Sequence, residues 1–129
     1  MPNLFTIVKV DPDERESDEQ TGSKNKFWLT KITKDAEESW LFKYSREYTG
    51  EHWAEKIASE IARLVKLPSA EVELAEFEGI KGCVSKSFVG KKPEIKLIHG
   101  NEMLAGHIRD YDPNKTFKQS RHTLVLLKC

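Results

Sequence analysis

With 129 residues, 38% of them hydrophobic and 33% charged, the chain holds enough material for one folded domain with a modest core. Its 21 basic residues balance 21 acidic ones, which excludes a global field drawing it to nucleic acid or an anionic membrane. The longest apolar run, Leu124 to Leu127, is far too short to span a bilayer. Cys83 and Cys129 form no C-x-x-C pair, and no secretory pattern opens the chain, so a reducing, cytoplasmic setting is expected.

Leu4 to Val10, rich in branched and aromatic residues, reads as a first strand that Asp11-Pro12-Asp13 stops. From Asp13 to Gln20 there are five acidic residues and no apolar ones, the composition of a solvated loop. In Thr21-Gly22-Ser23-Lys24-Asn25-Lys26 small polar residues let backbone amides approach an anion closely. Phe27 to Ile32 and Ser39 to Tyr44 form the arms of a hairpin closed by Thr33 to Glu38. Lys43, set in Trp40-Leu41-Phe42-Lys43-Tyr44, needs a partner or a ligand. A helix from Glu51 to Val65 offers Glu51, Glu55 and Glu60 as counter-ions.

On that helix Trp53, Ala54, Ile57, Ala58, Ile61, Leu64 and Val65 form an i, i+3, i+4 stripe, expected to pack on the sheet in one core with the hairpin. Pro68 ends the helix, Val72 to Phe77 is a strand, Glu78-Gly79 turns, and Gly82 to Phe88 returns as the next strand. Gly90 to Glu94 suits a connector, dividing the chain into residues 1–89 and 90–129. Lys81, Lys86, Lys91, Lys92 and Lys96 lack the interleaved aromatics of a nucleic-acid surface. The fold expected is α+β: an antiparallel sheet of about five strands with one principal helix between the third and fourth, and a less regular tail.

The tail holds two partial motifs. His99-Gly100-Asn101 lacks the aspartate that a kinase catalytic loop places two residues after its histidine. Asp110-Tyr111-Asp112-Pro113-Asn114 begins like a calcium loop, but Lys115 takes the glycine position and Arg121 the final glutamate. The four histidines show no ligand spacing, so no metal site is expected. Leu124 to Leu127 should pack on the domain or on a partner chain.

Loop, strand, strand with lysine, helix with glutamate is the phosphate-holding arrangement of a protein kinase. The same spacing also suits a small sheet with a snorkelling lysine and a packing helix. The runs Gly22 to Trp28, Leu41-Phe42-Lys43, Glu55 to Ala62, Leu67 to Leu74, Gly82 to Phe88 and Ile95 to Leu104 resemble, in that order, the N-lobe of HipA-like serine/threonine kinases of the toxin–antitoxin type. The resemblance covers roughly Leu4 to Leu104.

It implies a kinase-like N-lobe that binds ATP. Gly22, Ser23, Lys24, Asn25 and Lys26 would cover the phosphates, Lys43 would hold them, and Glu55, rather than Glu51 or Glu60, would orient Lys43. The hinge that reads the adenine edge would lie near Lys86, Ser87, Phe88 and Val89. Ser17, Thr21 and Ser23 are the hydroxyls open to self-phosphorylation in the loop. The catalytic aspartate and the Mg2+ ligands belong to a C-lobe, so this chain alone is expected to bind ATP weakly and not to transfer phosphate. Expected partners are a C-lobe chain, an antitoxin or a full-length kinase. The alternative is a non-catalytic protein-interaction module derived from a kinase lobe.

Overall fold

Period-two alternation sets the architecture of the first of two units, Met1–Lys92 and Pro93–Cys129. The computed structural model describes residues 5–18, 25–89, 94–96 and 98–112. Phe27 and Leu29 on β3 (Lys26–Ile32) and Trp40 and Phe42 on β4 (Glu37–Tyr44) are buried. The antiparallel register sets Phe27 beside Phe42 and Leu29 beside Trp40, so all four share a face. On the other side of β4, β6 (Ile80–Lys86) places Val84 beside Phe42, and β5 (Val72–Phe77) adds Ala75 and Phe77. β1 (Val8–Val10) runs parallel to β5, and β2 (Arg15–Asp18) runs antiparallel to β3, completing the order β1-β5-β6-β4-β3-β2.

In a flat sheet β3 and β5, three strand spacings apart, would be about 14 Å from one another. The rings of Phe27 and Phe77 nevertheless stand 4.8 Å apart between centroids, so the sheet is curled around its aromatic face. Phe42 stacks on Phe27 at 5.0 Å, and the Arg15 guanidinium caps the cluster 4.6 Å from the Phe27 ring.

Six strands replace the five expected, and the sheet is mixed, not wholly antiparallel. β2 comes from the acidic segment read as a loop. An edge strand needs backbone pairing more than an apolar face, and its Glu16 accepts a hydrogen bond from Thr30 Oγ1. The parallel pairing of β1 with β5 joins segments more than sixty residues apart, which no local pattern announces. With β2 counted, the helix α1 (Glu51–Leu64) falls between the fourth and fifth strands.

The orientation of α1 is a second correction. The stripe expected to pack on the sheet is exposed, Ile61 at 55% and Leu64 at 76%, and the single buried residue of the helix is Lys56 at 3%. The sheet face beneath α1 offers Lys43 and Cys83, which select the polar side of the helix, while the aromatic core fills the opposite face; Glu73, which the register sets on the side of Val84, reaches Lys56 from β5. Gly50 lets the chain enter the helix at φ 65, where an added Cβ would also lie 2.8 Å from the Trp53 ring.

In the second unit, α2 (Gly100–His107) follows His99 in extended backbone. The expectations for Gly90 to Pro93, for Asn114 to Arg121 and for Leu124 to Leu127 fall outside the described residues. Among the described residues no helix is long and apolar enough to cross a membrane.

Candidate functional site

β4 lies inside the sheet, hydrogen-bonded on both sides, and so presents its side chains on a rigid support. By alternation Lys43 leaves the face opposite Phe42, toward α1. Its Nζ donates to Glu55 Oε2 at 2.9 Å. Cys83, the register partner of Lys43 on β6, donates its thiol to the same oxygen at 3.6 Å. Lys43 and Glu55 keep 28% and 32% side-chain exposure, so the ammonium is paired yet reachable from solvent.

Of the three helix glutamates considered, Glu55 is the one that meets Lys43. Glu51 accepts the Arg46 backbone N–H at 3.1 Å, and Glu60 takes Lys56 at 2.7 Å and Arg63 at 2.6 Å. Gly82 permits the close approach of β6 at this point. A Cβ there would collide with the Lys43 carbonyl oxygen and lie 2.7 Å from the Phe42 ring.

Lys26 stands directly across from Lys43. Tyr44 N–H donates to Asn25 O at 3.2 Å, which makes residues 25 and 44 a hydrogen-bonded pair and leaves 26 and 43 the closer, non-hydrogen-bonded kind. Two lysine side chains therefore leave one face of the β3–β4 pair. Like charges in this position repel, and an anion between them relieves the repulsion. Gly22, Ser23 and Lys24 of the loop, and Thr21 before them, lie outside the described residues; Asn25 is exposed at the entrance to β3. Ser17 is on β2, paired with Trp28, and nothing is described of its side chain.

The proposed hinge is partly committed elsewhere. Lys86 Nζ donates to Glu38 Oε1 at 2.7 Å and lies 5.8 Å from the Trp40 ring. That contact holds the Glu38 carboxyl below its ordinary value and raises Lys86. The backbone N–H groups of Lys86 and Ser87 donate to Glu71 O and Ser39 O at 2.9 Å each. Of the four residues expected at the hinge, Phe88 is exposed past the sheet and Val89 follows it half-buried.

Sequence reasoning missed Lys56. Its ammonium bridges Glu60 Oε1 at 2.7 Å and Glu73 Oε2 at 3.0 Å, with the Phe5 ring 4.9 Å away. Burial pulls its pKa down, but the hydrogen bonds it donates to Glu60 and Glu73 prevail and leave it raised. The i, i+4 spacing of Lys56 and Glu60 was visible; the contribution of Glu73 from β5 was not. Among the described residues no group of three or more His, Cys, Asp or Glu is placed to hold a metal ion. No family model, no curated protein and no solved structure matches the chain.

Proposed function

We propose that this chain is the ATP-binding N-lobe of a HipA-like serine/threonine protein kinase. The observation that carries the reading is the ion pair of Lys43 and Glu55. Kinases place this lysine on the third strand of the lobe and pair it with a carboxylate of the following helix. Lys43 lies on the third strand counted from β2, which leads into the glycine-containing loop, and Glu55 lies on the next helix. Lysine has three N–H donors; with one on Glu55, two are left for phosphate oxygens. Lys26 adds a second cation on the same face.

The sequence holds neither an H-x-D nor a D-F-G triplet. In this reading the proton acceptor and the Mg2+ ligands come from a C-lobe, and the chain binds nucleotide without transferring phosphate. A C-lobe chain, an antitoxin or a full-length kinase is the corresponding partner. The second reading, an interaction module that uses no nucleotide, is favoured by the exposed stripe of Trp53, Ile57, Ile61 and Leu64 on α1.

Calorimetric titration separates the two. The ATP-binding reading expects a dissociation constant from roughly 100 µM to the millimolar range, weakened about tenfold by Lys43→Met, which removes the charge and keeps the apolar stem. A folded chain with no heat of binding at several times that concentration hands the assignment to the interaction module.

A further inference from the structure

We propose that Lys56 is the positioning residue of the candidate site: by tying α1 to β5 it sets the rotation and register of the helix that bring Glu55 onto Lys43. This inference rests on the nucleotide reading for its functional consequence, but not for its geometry. A helix usually keeps its place on a sheet by burying an apolar face, and α1 does not. Its apolar stripe faces away, and its fixed points toward the sheet are polar: Glu55 on Lys43 and Cys83, Ser59 Oγ on Ala70 O at 3.1 Å, and Lys56 on Glu73.

Among these, Lys56 is the most buried, and its charge is shared between a carboxylate of its own helix and one of β5. Such a buried pair contributes little net stability because desolvation offsets the attraction, yet it admits few alternative geometries. An alternative exists here. Glu51 lies one helical turn before Glu55, so a slip of about 5.4 Å would present the wrong carboxylate to Lys43. The bridge from Lys56 to Glu73 opposes that slip, because Lys56 follows Glu55 directly and cannot move without it.

Cys83 reports on the helix without any nucleotide. It is buried, and its thiol rests on Glu55 Oε2, so displacement of α1 uncovers it. In a Cys129→Ser background, Lys56→Met and, separately, Glu73→Gln should speed alkylation of Cys83 about tenfold, a change typical of a local opening. Glu73→Gln leaves Lys56 paired with Glu60 and guards against a fold lost in Lys56→Met. Exchange of α1 amides should rise in parallel, while the Phe27 and Phe42 amides, which report global opening, stay unchanged. ATP affinity should fall in Lys56→Met as it does in Glu55→Gln, and the two substitutions together should do no more than one, since Lys56 acts through Glu55.

Unchanged Cys83 alkylation in both variants overturns the proposal. So does alkylation that rises only in step with the Phe42 amide, because that marks a general stabilising role. If the unaltered chain binds no ATP, the nucleotide reading falls, and the Cys83 rates alone still decide whether Lys56 holds Glu55 in place.

Discussion

Lys26 and Lys43 face one another across a close cross-strand pair, a local cost that the Glu55 carboxylate on Lys43 offsets in part and that a bound anion would reduce further. Opposite signs for stability and binding are therefore expected at one residue. Lys26→Met should raise the stability of the ligand-free chain by about 0.2 to 1 kcal/mol while weakening ATP binding. Urea melts and an ATP titration on the same preparation check both signs; a loss of stability with unaltered affinity would remove Lys26 from the site. At Gly82 the constraint is steric, since an added Cβ meets the Lys43 carbonyl and the Phe42 ring. Gly82→Ala should cost about 1 to 3 kcal/mol in denaturant melts, the range for forced overpacking. At this scale the pairing of Lys43 was legible because a lysine in an apolar strand demands a partner. The opposition of Lys26 was not, because it depends on register, and neither was Lys56, because a helix lysine in an i, i+4 pair ordinarily faces water.

The elements show where amphipathic patterning misleads. The stripe on α1 is a sound helix signal, and the helix is there, but the periodicity does not say which face meets the sheet. Ile61, 55% exposed, should lose no more than about 0.5 kcal/mol on replacement by alanine, the range for surface substitutions; a loss of several kcal/mol would place the stripe in a core. The polar face carries the pH dependence. Hydrogen bonds from Lys56 and then Arg63 hold the Glu60 carboxyl below its usual 4.5, so its stabilisation is present above that pH and is lost as pH falls through the lower, folded-state value. The raised Lys56 pKa acts at the other end: its share is present below 10.5 and is lost as pH rises through the folded-state value above it. Glu60→Gln should flatten the acid limb of stability measured by urea melts below pH 4.5 and leave the slope between pH 6 and 8 unchanged. An unaltered acid limb would mean that Glu60 is not held by Lys56 and Arg63 in solution. The hairpin of β3 and β4 and the return of β5 into β6 were readable from alternation and turn residues. β2 was not, because its charged side chains carry no apolar period.

As a whole, the first unit sets an aromatic core on one face of a curled sheet and a polar, charge-rich joint with α1 on the other. That division permits a candidate anion site beside a rigid support: the core fixes β3 and β4, and the polar joint places one carboxylate on Lys43. The overall α+β class was legible; the parallel pairing of β1 with β5 and the outward face of α1 were not, since both follow from contacts distant in sequence. In the proposed reading, Lys43, Lys26 and the adjoining loop hold the phosphates of ATP. Amide chemical-shift mapping during an ATP titration tests it most directly. Shifts should concentrate at Gly22 to Lys26, at Lys43 and at Phe88 and Val89, with Lys43→Met abolishing those at the loop. Saturating ATP that leaves these amides unmoved in a folded sample, or moves only residues away from them, would contradict it.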